Sequence, residues 1–379
     1  MEKKKERRSN YELMRIISML LIVTWHVISH THLLTESTGL LGILVKFLVC
    51  ITYVHVTSFV IATGYFQSQS KFKLSKVLSL IGAVWFYRVV ISLVFQFTGL
   101  IELTKLDFYH LLYPLWDFDE YWFINIYIIL YLMSPILNKV IHNVNKKQFQ
   151  KVIAILFVLF SVVPTLTNQQ VINDTQGFSI TFFILIYFIG AYFRKYPISE
   201  CFLMKGFTPK MQQAIYFVSF FALAFLNLLL WNFSTILTQF GSIPNEIGTL
   251  LTKQVGSYDN PILIFQSLAY FFFFGTLTLK NKQINRISPL VFGVYLIHEN
   301  MYIRSILYDK LGITQFFLKS GYEVLLWVIL LGLGILIVCL IIEKLRKTMF
   351  DFIGNLKWTT KLRDKFKNWV RALGLQISW

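Results

Sequence analysis

Ten predominantly apolar runs divide the chain, at 11–32, 40–66, 77–97, 121–141, 151–167, 178–194, 213–231, 262–279, 289–308 and 322–342. Each falls within or close to the roughly 17–25 residues that a helix needs to cross about 30 Å of hydrocarbon. The polar stretches between them alternate in character, basic ones trading places with acidic and aromatic ones. The pattern predicts an all-α membrane protein, a polytopic bundle of about ten transmembrane helices. The segment 98–120 carries Glu102, Asp107, Asp117, Asp119 and Glu120 with Tyr113 and Trp116, and the segment 232–260 is punctuated by Gly241, Pro244, Gly248 and Gly256. The latter is the longest loop on its side and could cap a cavity.

Charge gives the bundle a direction. If the amino terminus is cytoplasmic, the head, the segments 67–76, 138–151, 194–212 and 280–288, and the tail hold 5, 3, 4, 4, 3 and 9 Lys plus Arg, 28 of the 36 in the chain. The opposite loops hold only Lys105, Lys253, Lys310 and Lys319. Cytoplasmic loops collect Lys and Arg, so this asymmetry predicts both termini cytoplasmic and an even number of crossings. Three regions follow: a basic head over 1–10, the membrane domain over 11–342 and a basic tail over 343–379. In the tail, Phe366, Trp369, Val370 and Leu373 recur at helical spacing, as in a helix lying on the membrane surface. The head, ahead of an apolar run, imitates a signal peptide, but the run contains Arg15 and His26 and lacks a small-x-small cleavage site, so it reads as an uncleaved first span.

Composition narrows the class further. A hydrophobic fraction of 56%, only 15% charged residues and a mean hydropathy of +0.60 exclude an ordinary soluble protein. The net charge of +17 lies in short clusters between apolar runs, not on one face, so membrane lipids are expected partners and nucleic acid is not. Cys50, Cys201 and Cys339 are far apart with no CxxC, which suggests neither a disulfide framework nor a zinc site.

The remaining four basic residues lie inside the runs: Arg15, Lys46, Arg88 and Arg304. With His26, His55, Asn125, His298 and Glu299 they are costly groups in hydrocarbon, and together they imply a polar cavity. Arg15 and His26 are eleven residues apart, three turns plus about 20°, so they share one helix face about 16 Å apart along the axis. Each also has a plainer reading, Arg15 snorkelling to the headgroups and His26 hydrogen-bonding a neighbouring helix. His298, about 14 Å into the ninth run, lies at a depth comparable to His26, and the two could meet. Lys46, near the outer end of the second run, is expected to snorkel; Arg88, midway through the third, needs a partner or a wet cavity. The i, i+4 pair His26 and His30 could hold zinc in principle, but the HExxH glutamate is absent and no third ligand is evident from spacing, so no metal site is expected.

These residues resemble the acyltransferase 3 family, integral membrane acyltransferases that modify sugars of bacterial surface and secreted glycans. Arg15 and His26 match its arginine, ten residues, then histidine in the first helix. FVIATGYF (Phe59 to Phe66) is similar to its Phe-rich run ending in Ser-Gly, with Thr63 in the serine's place. YWFINIYIILYLMSPILN (Tyr121 to Asn138) is similar to its Trp-Phe helix ending in a proline, and FGVYLIH (Phe292 to His298) to its late Tyr-Leu-x-His helix. The resemblance runs from about residue 8 to about 342. Where members often carry Arg-x-x-Arg at the start of the third helix, this chain has Lys76-Val-Leu-Ser79, and the fused esterase-like domain that some members carry is not expected here.

The resemblance implies an O-acyltransferase, most simply an O-acetyltransferase, of the bacterial cytoplasmic membrane. It would take an acyl group from cytoplasmic acyl-CoA, a donor substrate and not a permanently bound cofactor, and place it on a surface glycan or lipid-linked sugar. Arg15, with Lys76 and Arg88, would bind the donor; His26 would be the general base. His298, Asn125 and Arg304 would steady the oxyanion or position the acceptor. Glu120 and Trp122, at the outer mouth of the fourth helix, suit sugar hydroxyls and C–H faces, although Trp122 also fits an interfacial aromatic belt. The alternative left by the buried charges is a transporter or flippase for a lipid-linked sugar or small solute.

Overall fold

The structure, a computed structural model, describes residues 7–112, 120–167, 176–201, 204–241, 256–354 and 365. Outside these residues lie the expectations for Tyr113, Trp116, Asp117 and Asp119, for the loop glycine and proline at 248 and 244, and for the tail positions Phe366, Trp369, Val370 and Leu373. The described chain is helical, with no strand among the described residues. Seven helical stretches are long and apolar enough to span: Ser9–His30, Gly39–Gln67, Leu74–Phe97, Trp122–Asn143, Lys146–Thr167, Pro209–Thr238 and Val324–Gly354.

The other three runs also form helix, but differently. Ile180–Lys195 and Pro261–Thr276 have 16 residues each, about 24 Å, somewhat short of the hydrocarbon. They are interior helices: Phe182, Phe183, Leu185, Ile186 and Tyr187 are fully buried in the first, as is Phe271 in the second. The ninth run breaks into Val291–His298 and Met301–Arg304, with a π-turn over Ser305–Lys310. Irregular backbone at membrane depth is tolerated where protein buries it. Here Asn300, at the break, accepts a hydrogen bond from Tyr302 N and so caps the second piece.

Other interruptions have local causes. The second run is two helices, Gly39–Thr52 and Val54–Gln67, because the His55 ring takes the Thr52 carbonyl at 2.6 Å and Thr52 Oγ1 turns back onto Val49 O. A π-turn over Val158–Val162 precedes Pro164, which has no N–H to offer the ladder. The last helix continues past the expected limit at 342 to Gly354; there Glu343 bonds to Tyr87, Lys347 to Pro289 O, and Arg346 lies over the Phe86 and Tyr87 rings. Glu343, 1% exposed, accepts from Tyr87 Oη at 2.6 Å and from both forks of Arg346.

Two close helix approaches hold the interior pieces. A Cβ on Gly64 would collide with the Tyr187 carbonyl, and one on Gly190 with the Ile61 carbonyl. Small residues let backbones approach to that distance in a membrane bundle, where packing and not water drives association.

The described loops make contacts in two groups. At one end Arg7 reaches Asn285 O, Ser9 pairs with Asn281, Lys347 reaches Pro289 O, and Lys195 reaches the carbonyls of Ile141 and Val144. At the other, Tyr258 N meets Gln176 O, Lys310 meets Leu100 O, and Asn300 meets Glu120. The first is the basic end, the one that the charge pattern assigns to the cytoplasm.

Candidate functional site

The first helix, Ser9–His30, is unbroken, so the shared face of Arg15 and His26 and their separation of about 16 Å carry over intact. At its outer end the broken ninth run supplies the partners. His26 Nδ1 lies 2.9 Å from His298 Nε2 and 2.9 Å from Glu299 Oε2. His30, one turn later, places Nε2 3.4 Å from the same carboxylate oxygen, and Arg304 donates to Glu299 Oε1 at 2.8 Å. Glu299 keeps helical backbone, with its N–H on Tyr295 O, and the chain leaves the helix only at Asn300; both consecutive side chains nonetheless reach His26 Nδ1.

The hydrogen bonds fix the tautomers. His298 Nδ1 lies 2.6 Å from Val294 O, and a carbonyl only accepts, so Nδ1 carries the proton. In the neutral ring Nε2 is then an acceptor, and His26 Nδ1–H must be the donor shared between His298 Nε2 and the Glu299 carboxylate. The lone pair of His26 is left on Nε2. A histidine whose Nδ1–H is held by a carboxylate has the orientation and tautomer of a general base. The His26 side chain is 16% exposed, the Glu299 side chain 10%. Glu299 did not stand out in the sequence, because an acidic residue about halfway along an apolar run reads as one more buried charge; the signal was its place beside His298 and before Asn300.

At the basic end Arg15 is about one-third exposed, 3.5 Å from Glu12 and 6.0 Å from the Phe66 ring centroid. Lys76 sits over the Tyr131 ring at 5.3 Å, within electrostatic reach of Arg15 and Lys73. Arg194 lies over Tyr65, which packs on Tyr11. This is a cationic mouth lined with aromatic faces. Beside it, Ser68, Gln69, Lys71, Phe72, Pro135 and Asn138 are among the residues that line an open cavity of about 360 Å³.

Arg88 does not join that mouth. Its partner is Glu120, at 2.8 Å, and both side chains are buried, 6% and 4% exposed. Glu120 Oε1 also accepts from Asn300 Nδ2 and Met301 N, which ties this pair to the break beside Glu299. The pair belongs to the outer end, because Arg88 lies about 21 Å along a helix that starts at the basic end. Trp122 is half-buried among Phe178, Tyr258 and Phe183, with its ring 4.4 Å from that of Phe178. Asn125 is 4% exposed, and neither side-chain polar atom has a hydrogen-bond partner among the described residues. Lys46 points at a neighbouring helix, with Nζ 3.4 Å from Asn232 Oδ1 and 5.5 Å from the Trp231 ring. His55 is satisfied by Thr52 O and Tyr258 Oη.

The group His26, His30 and Glu299 has the donor atoms of a metal site, one from each within 4.8 Å of the others. Glu299 is the third donor that spacing alone left unseen.

A family model described as an acyltransferase domain matches residues 8–344. No curated protein and no solved structure matches the chain.

Proposed function

The chain belongs to the acyltransferase 3 family and is a multi-pass membrane acyltransferase, and from that premise we propose that it moves an acetyl group from cytoplasmic acetyl-CoA to a hydroxyl of a glycan or lipid-linked sugar at the outer face of a bacterial cytoplasmic membrane. The observation that carries this reading is the His26 imidazole, held at Nδ1 by Glu299 and His298 with Nε2 left as base. The acceptor hydroxyl oxygen attacks the thioester carbonyl while Nε2 takes its proton. The tetrahedral intermediate then expels the thiolate, which leaves as the thiol with the proton from His26. Positive charge grows on His26 during attack, and the Glu299 carboxylate faces that charge.

Arg15 and Lys76 hold the CoA phosphates at the basic mouth, where a guanidinium suits bidentate recognition. The nucleotide end would occupy the cavity beside Phe72 and Lys71. From there an extended pantetheine arm covers the interval of about 16 Å to His26. Met19 and Ile22, on the same face between the two, are buried, so donor binding has to part that seam.

His298 serves as a positioning residue, since its one N–H is given to Val294 O and none remains for an oxyanion. Arg304 orients Glu299. Glu120 and Trp122 stand on the acceptor side, and Asn125, with two unmet hydrogen-bonding atoms, is a candidate to meet the acceptor or the oxyanion. Arg88, assigned to the donor from the sequence, fits the acceptor side better, because it braces Glu120. The transporter reading draws no support from the family membership.

The test supplies purified protein with labelled acetyl-CoA and envelope glycan of the source organism. Label is expected on the glycan and absent with His26→Ala; undiminished transfer by a folded His26→Ala variant removes His26 from the mechanism.

A further inference from the structure

Besides its place beside the base, the outer cluster has the composition of a metal site. His26 and His30 stand one turn apart on one helix, and Glu299 enters from the ninth run with Oε2 2.9 Å from His26 Nδ1 and 3.4 Å from His30 Nε2. A tetrahedral zinc ion with bonds of about 2.0–2.1 Å separates its ligand atoms by about 3.3 Å. Two of the three separations are already near that value, and the third pair, the two histidines, lies within 4.8 Å. The histidine pair has at most about 1.5 Å to close.

Outer partners of the kind found around bound metals are also in place. Ligating carboxylates and histidines are held by hydrogen bonds from groups that do not touch the ion. Arg304 holds Glu299 by Oε1, so that Oε2, which faces both histidines, is the oxygen that would meet a metal, and the ring of Tyr308 lies 5.1 Å from that of His30. His298 Nε2, 2.9 Å from His26 Nδ1, is a fourth nitrogen on the edge of the cluster, its ring fixed through Nδ1 on Val294 O. Two or three imidazoles and one carboxylate suit Zn²⁺ over Mg²⁺ or Ca²⁺, which prefer oxygen.

We propose that His26, His30 and Glu299 form an inhibitory site for zinc or a similar divalent transition metal, open to the outer face, and that its occupation switches the acyltransferase off. The proton balance gives the mechanism. A metal at His26 takes the Nδ1 lone pair, so the proton now on Nδ1 must leave. The neutral ring keeps one proton, and that proton resides on Nε2, the atom that has to accept from the acceptor hydroxyl. His30 likewise moves its proton to Nδ1 to offer Nε2. Metal binding therefore removes the base without disturbing the donor mouth about 16 Å away. The switching part of this inference rests on His26 being the base; the binding part does not.

The experiment uses the full chain in detergent, stripped with a chelator and titrated with zinc under equilibrium dialysis, with neither donor nor acceptor present. One equivalent is expected, with affinity reduced at least about 100-fold by His30→Ala and by Glu299→Gln. His32→Asn, an exposed histidine outside the cluster, should bind as wild type does. X-ray absorption at the zinc edge of the wild-type protein should show at least two imidazoles with a carboxylate, a measurement that needs no variant to fold. In the transfer assay zinc should inhibit reversibly, and His30→Ala should need at least about 100-fold more zinc for half inhibition of its own rate. Absence of stoichiometric binding, binding unchanged in both variants, an all-oxygen or sulfur shell, or inhibition that His30→Ala does not relieve would overturn the proposal. So would transfer that a chelator abolishes, because the metal would then be required. If the protein transfers no acyl group at all, the dialysis and absorption results still decide whether the site exists, and the acyltransfer reading fails separately.

Discussion

Replacing Glu299 by Gln removes one charge and leaves the shape. In wild type the carboxylate oxygen lies 2.9 Å from His26 Nδ1, in surroundings where the two side chains are 16% and 10% exposed. When the base takes a proton, a unit positive charge forms with its centre about 4 Å from the carboxylate, worth about 4 kcal/mol at an effective dielectric of about 20. Arg304, 2.8 Å from the other oxygen, offsets part of this attraction. Since about 1.4 kcal/mol is tenfold in rate, kcat should fall between about 10²- and 10³-fold. The donor KM should hold within about twofold, because the carboxylate is about 16 Å from the basic mouth. The assay is steady-state transfer of labelled acetyl from acetyl-CoA to glycan in detergent, with thermal unfolding checked in parallel. A folded Glu299→Gln protein that keeps more than about one-fifth of wild-type kcat would show that the carboxylate does not serve the base, and the tautomer assignment would fall with it.

Three further outcomes follow from other parts of the molecule. Arg15→Ala should raise the donor KM about tenfold with kcat nearly unchanged, a charge-assisted phosphate contact discounted for the one-third exposure of the side chain; equal KM for the two proteins refutes its donor role. Arg88→Ala strips the guanidinium from a buried carboxylate and should cost about 3–5 kcal/mol of stability, much of it regained in the Arg88→Met/Glu120→Leu double variant. Thermal melts of the three proteins check this, and additive losses would contradict it. Gly64→Ala forces a Cβ into the Tyr187 carbonyl and should destabilise by about 1–3 kcal/mol, whereas the same change at Gly82, where a Cβ meets nothing, should be nearly silent.

Much of this molecule is determined by short-range rules that a sequence obeys one segment at a time. Apolar runs have to be helices in hydrocarbon, because no water is there to satisfy the backbone, and basic loops sort to one side. The periodicity of a single helix put Arg15 and His26 on one face without reference to any neighbour. What the sequence left undecided are the contacts between segments far apart in the chain. Glu299 meets His26 because the ninth run packs against the first helix, and the break that follows at Asn300 is held by Glu120, on another segment. Arg88 needed a partner or a wet cavity on the sequence alone, and only packing could give it Glu120. His26 and His30 lacked a third donor until the ninth run brought one. Hydrophobicity and helical period act locally and are written in the order of residues, whereas a hydrogen bond between side chains 273 positions apart depends on where every intervening helix packs.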